Sequence, residues 1–159
     1  MSLIKLNFDV DKPLIEVWQF GSDIKRIPEW QFDIAGVKSA QDSIEGAGQE
    51  YTLVYRMWRR DFDSPVQVTQ FEPPHKMETR GKTPIGGFFR SNTHMQAVES
   101  GTHIEWQMEY QLPLGYIGKF LDFLIFRKAF ESTVRKYNDN FKAVAEGRQP
   151  PHQTVTRNR

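Results

Sequence analysis

An α+β domain is predicted by three features of this 159-residue sequence. A strand at the start passes directly into a helix, the middle is a series of short alternating runs bounded by Gly and Pro, and the last third changes from strand to helix periodicity. Ile4, Leu6, Phe8 and Val10 alternate with Lys5, Asn7 and Asp9, the pattern of a strand with one buried face. Asp11 is the expected N-cap and Pro13 suits a first helical turn, after which Leu14, Val17 and Trp18 share a helix face. A second short helix is expected from Ser22 and must end near Pro28.

Beyond Trp30 the chain reads as strands. "IAGVKS" comes first, followed by a run from Gln49 to Arg59 that places Tyr51, Leu53, Tyr55 and Met57 on one face. "RRDFDSP" reads as a hairpin turn, and "PVQVTQFEPP", "HKMETRG" and "GFFRSNTHMQAV" as further strands. After the turn "ESGT", the alternation is the clearest in the chain. Thr102, Ile104, Trp106, Met108, Tyr110 and Leu112 fall on one face, with His103, Glu105, Gln107, Glu109 and Gln111 on the other. A one-residue slip would bury the carboxylates, so the register is determined. A long helix is expected from about Leu114 to Glu146, with a shorter leading helix or a kink near Asp122 to Arg127. There the stripe of Ile117, Phe120, Leu121 and Leu124 gives way to a displaced one of Phe130, Val134, Tyr137, Phe141 and Ala145. One domain is expected over residues 1–147, followed by a structureless tail over 148–159 with two prolines and little apolar content.

Composition removes several functions. With 21 basic and 20 acidic residues, the totals suggest neither a nucleic-acid footprint nor an electrostatic membrane binder. No cysteine is present, which removes disulfides and thiolate catalysis and suits a reducing, cytoplasmic setting. The N-terminus does not read as a signal peptide, and the longest apolar cluster, "FLIF", falls far short of the roughly 20 residues a membrane span needs. Apolar content is instead concentrated in 12 Phe, 5 Tyr and 4 Trp, large rings that can line a cavity.

No cofactor and no metal site is expected, since the four histidines lack metal-ligand spacing. Glu105 and Glu109 are the tempting acid/base pair, but alternation sends both to the solvent side. "GAGQEY" lacks the third glycine and following helix of a phosphate loop, and "YRMWRRD" reads as an exposed strand end rather than a nucleic-acid patch.

The order of elements, with "VDKPLIEVWQFGSDIKRIPEW", "EGAGQEY" and "SGTHIEWQMEYQLPLGYIGKFLD", resembles the START-like superfamily. That grouping, also called SRPBCC or Bet v 1-like, includes polyketide cyclase/dehydrase-type proteins. The resemblance spans Leu3 to about Gly147. It implies a helix-grip fold, in which a seven-stranded antiparallel sheet wraps the C-terminal helix around a deep apolar cavity. On that basis the expected ligand-binding residues are Trp30, Tyr51, Leu53, Tyr55, Met57, Trp106, Met108, Tyr110, Phe120, Leu121 and Leu124, the alternative being that the same rings pack a solid core. Phe120, Phe123 and Phe126 are the candidates for contact with a membrane or protein partner. Three functions follow: a carrier of a small hydrophobic ligand, a cyclase or dehydrase, or an interaction module. An enzyme requires a titratable pair within hydrogen-bond reach inside the pocket, a carrier does not, and an interaction module needs an exposed apolar patch without enclosed volume.

Overall fold

The computed structural model describes residues 2–113 and 125–152. Strand β1 (Ser2–Val10) leads into helix α1 (Leu14–Ser22) and a 3₁₀ helix (Ile24–Glu29). Strands β2 (Ile34–Lys38), β3 (Glu50–Met57), β4 (Arg60–Glu72), β5 (Lys76–Lys82), β6 (Phe88–Val98) and β7 (Gly101–Gln111) follow, and helix α2 (Arg127–Ala145) closes the chain. All seven strands form one antiparallel sheet in the order β1-β7-β6-β5-β4-β3-β2. Consecutive hairpins build it from β2 to β7, and β1 then joins the far edge of β7, so the first and second strands end on opposite edges. This is the helix-grip fold: α2 lies across the face that the alternating apolar residues present.

β1 and β7 pair in continuous register from Ser2↔Tyr110 to Val10↔Thr102, which brings Ile4 and Leu6 of one strand beside Met108 and Trp106 of the other. The start of β7 explains the Gly-Thr pair in the sequence. Gly101 has φ +145, and a Cβ there would lie 2.3 Å from the Val10 carbonyl oxygen, so only glycine lets the strands meet this closely. Beside it the fully buried Thr102 hydroxyl donates to the Lys12 carbonyl at 2.8 Å, tying β7 to the connection that starts α1.

Three local expectations are corrected. Asp11 is not the N-cap of α1: Pro13 occupies that position without a side-chain hydrogen bond, and the Asp11 backbone N–H instead donates to Glu146 Oε2 at 2.8 Å. The hairpin turn takes only Arg59 of "RRDFDSP", which is strand from Arg60 onward. It is Trp58-Arg59, with φ of 52° and 63°. Two consecutive left-handed residues make the tight turn that matches strand twist, but glycine or asparagine usually supplies them, so composition pointed elsewhere. In the third case the tail expected from residue 148 is docked as far as His152, whose backbone N–H donates to Asn140 Oδ1 at 2.9 Å while Asn140 Nδ2 donates to the His152 carbonyl at 3.0 Å. Asn140 is fully buried on α2, and pairing with a passing backbone is how such an amide is satisfied. The helix expected from about Leu114, with a shorter leading helix or a kink near Asp122 to Arg127, is described from Ile125, and there Ile125 and Phe126 form a wider π-type turn before α2. The rest of that span, with Phe120, Leu121, Phe123 and Leu124, lies outside the described residues.

α2 buries Val134, Tyr137, Asn140, Phe141 and Ala143. Phe141 is the hub: its ring centroid lies 4.8 Å from Phe20, 5.1 Å from Trp30 and 6.1 Å from Phe8. Sheet, both early helical segments and α2 therefore meet at one ring.

Candidate functional site

Between the inner face of the sheet and α2 the described residues surround a cavity of about 340 Å³. Its walls follow from strand alternation. β3 contributes Tyr51, Leu53, Tyr55 and Met57, and β7 contributes Trp106, Met108 and Tyr110, because successive residues of a pleated strand point to opposite faces. Trp30, which follows the 3₁₀ helix, closes one side, and α2 supplies Phe130, Thr133, Tyr137 and Phe141 at roughly helical spacing. All eight expected ligand-binding residues that are described thus line this cavity. Phe126 also lines it, half-buried against Tyr110 at 6.0 Å and Phe130 at 5.7 Å. Its neighbour Ile125, 68% exposed, faces solvent.

The opposite face of the sheet behaves as alternation demands. Glu105 is exposed and Glu109 pairs with Arg90 at 3.1 Å, so neither reaches the cavity. His103 Nδ1 lies 2.5 Å from Asp9 Oδ1 on that outer side. A larger concavity of about 760 Å³ also lies on the outer face, lined by charged side chains such as Arg80, Lys82 and Arg90, but it is open to solvent. The inner cavity is the candidate site because it can remove an apolar surface from water. Among the described residues no group of three or more His, Asp or Glu side chains could hold a metal.

Within these apolar walls lies one polar pole that the sequence did not reveal. Tyr137 donates its hydroxyl to Asp33 Oδ2 at 2.5 Å. Burial pushes the Asp33 carboxyl above the usual carboxylate range, opposed in part by that hydrogen bond and one from its own backbone. Tyr137 is pushed well above the usual phenol value by burial, by the charges of Asp33 and Tyr55 and by its bond to Asp33, and so remains a donor. Burial raises Tyr55 too, with Asp33 and Tyr51 adding to the shift, which places it in the same electrostatic cluster. Three buried polar atoms of the lining have no hydrogen-bond partner among the described residues: Trp30 Nε1, Asp33 Oδ1 and Asn138 Nδ2. The available signal was Asp33 itself, a lone carboxylate between Phe32 and Ile34. Alternation could not orient it, since the β2–β3 register shifts between Ile34 and Gly36.

The sequence profile of the family described as polyketide cyclase / dehydrase and lipid transport matches residues 4–146. The chain belongs to this family. Its fold places the family within the START-like superfamily, and structural comparison agrees. The Thermus thermophilus protein TTHA0849 superposes with a TM-score of 0.74 at 11% identity, covering 92% of this chain and 98% of that one. The Bacillus halodurans protein BH1534 gives 0.69 at 17% identity, and Ara h 8.0201 gives 0.68 at 8%, each over 92% of this chain and 98% of the other. At such identities the likeness is one of fold. A search of curated proteins finds no sequence match. No helix among the described residues is long and apolar enough to cross a membrane.

Proposed function

We propose that this protein binds and carries a small hydrophobic molecule, lipid-, polyketide- or isoprenoid-like, in the cavity between the sheet and α2. The observation that carries this reading is the cavity itself. About 340 Å³ is left open among aromatic walls where a solid core would have been filled, and burying apolar surface there is worth roughly 25 cal/mol per Å². Trp30, Tyr51, Leu53, Tyr55, Met57, Trp106, Met108 and Tyr110 form the binding surface. The family's description, which joins cyclase or dehydrase chemistry to lipid transport, supports a hydrophobic ligand in either case. A cysteine-free chain suits a reducing compartment, and we place its action in the cytoplasm.

One observation favours a second reading. Asp33 and Tyr137 are a titratable pair, hydrogen-bonded to each other at one point of the cavity lining, which is what a cyclase or dehydrase would use to move a proton at a bound carbonyl compound. An interaction module has less support, since the exposed patch it needs would come without enclosed volume.

The test of carriage is titration with N-phenyl-1-naphthylamine, a neutral apolar fluorophore. Saturable one-to-one binding is expected, weakened about tenfold or more by Trp106→Ala and not by Glu105→Ala, because only the first side chain lines the cavity. Binding that is unsaturable, or unaffected by Trp106→Ala in a folded variant, would remove the proposal.

A further inference from the structure

We infer that the cavity selects an apolar molecule bearing a hydroxyl group, and discriminates against one ending in a carboxylate, through Asp33 and Trp30. This rests on the cavity being a ligand site and adds the chemical class of the ligand. The two side chains enter from one short segment, Trp30 to Asp33, between the 3₁₀ helix and β2. Trp30 Nε1 is a donor without an acceptor, and Asp33 Oδ1 is an oxygen without a partner, both buried among the described residues. Leaving such atoms unpaired in an apolar interior is costly, so a bound group that pairs with both gains more than its own contact energy.

A hydroxyl can do so, since it donates one hydrogen bond and accepts others. It donates to Asp33 Oδ1 and accepts from Trp30 Nε1, and the amide of Asn138, next to Tyr137 on α2, offers a further donor without a partner among the described residues. The carboxylate is held in place for this task, because Tyr137 donates to its other oxygen at 2.5 Å and the Tyr137 ring is packed against Phe32 at 5.2 Å. A ligand carboxylate fails the same site. It has acceptors only, so it can satisfy Trp30 but meets Asp33 as a like charge in a low-dielectric enclosure, unless it brings a proton with it. A ligand without polar groups fills the walls but leaves both orphan atoms unpaired. The rank expected at neutral pH is therefore hydroxyl, then hydrocarbon, then carboxylate.

The experiment is displacement of N-phenyl-1-naphthylamine by three ligands of one shape: 2-naphthol, 2-methylnaphthalene and naphthalene-2-carboxylate. The naphthol should displace the probe at a concentration at least about tenfold below the carboxylate and severalfold below the hydrocarbon. In Asp33→Asn, which keeps the shape and removes the charge, the naphthol-to-carboxylate ratio should fall toward one because carboxylate binding improves, a gain that damage to the fold does not produce. In Trp30→Phe the naphthol-to-methylnaphthalene ratio should fall severalfold, so this variant carries the test if Asp33→Asn does not fold. A wild-type protein that binds the probe saturably but takes all three ligands equally overturns the inference and leaves the carrier reading in place. An Asp33→Asn variant with the parent's naphthol-to-carboxylate ratio also overturns it. Absence of any saturable probe binding overturns the carrier reading, and this inference with it.

Discussion

Replacing Phe141 by alanine removes the ring against which Phe8, Phe20 and Trp30 all pack. The side chain is 6% exposed, so the substitution gives up the burial of on the order of 200 Å² of aromatic surface. At about 25 cal/mol per Å² that is roughly 5 kcal/mol, reduced to about 3–4 kcal/mol because the unfolded chain is itself partly collapsed. Losing three ring pairs, two edge-on and one tilted, adds about 1 kcal/mol or more. The expected destabilisation is therefore about 4 kcal/mol, inside the range of roughly 3–5 kcal/mol for Phe→Ala at core sites. Urea denaturation followed by tryptophan fluorescence measures it, and in a thermal scan it corresponds to a fall in Tm of about 8–16 °C for a domain of this size. Phe141 also lines the cavity, so the void opens into existing space, and a saturating apolar probe should recover more stability in the variant than in the parent. The surface control Ile15→Ala, at a side chain 54% exposed, should change stability by less than about 0.5 kcal/mol. A loss below about 1.5 kcal/mol for Phe141→Ala would refute the claim that sheet and helices converge on this ring.

Two further outcomes are expected. Removing residues 149–159 should cost about 1–3 kcal/mol, because it strips both hydrogen bonds between the buried Asn140 amide and the His152 backbone; an unchanged urea midpoint would mean that docking contributes nothing. Burial raises the Glu146 carboxyl, but donors from Arg148, the Asp11 backbone and Lys142 outweigh it and hold it at about 2. A depressed carboxylate stabilises the fold above its unfolded value near 4.3 and loses that contribution as pH falls through its folded value. Glu146→Gln should thus be less stable than the parent at neutral pH, with the gap in Tm closing between about pH 4.3 and pH 2; a gap independent of pH would assign the loss to packing instead.

Strand periodicity alone made most of the cavity wall readable. Tyr51, Leu53, Tyr55 and Met57, like Trp106, Met108 and Tyr110, share a face because a pleated backbone sends every second side chain the same way. That rule is local and needs no knowledge of what lies opposite. The same rule kept Glu105 and Glu109 out of the site. It failed at Trp58-Arg59, where backbone geometry rather than residue type makes the turn, and at Asp33, where the strand register shifts.

What the sequence determined by itself was therefore the order of elements and the inward faces of the long strands, including the register by which β7 turns its rings inward. The polar chemistry of the cavity came only with the tertiary structure. Asp33 and Tyr137 are separated by 104 residues, and nothing in either neighbourhood signals the other. Their pairing requires α2 to cross the sheet at a height that sets Tyr137 against the end of the Trp30–Asp33 segment. The raised Asp33 carboxyl likewise depends on how completely distant segments exclude water from it. Periodicity is a property of neighbours along the chain, whereas desolvation is a property of everything that closes around an atom, so the walls could be read from the sequence and the pole could not.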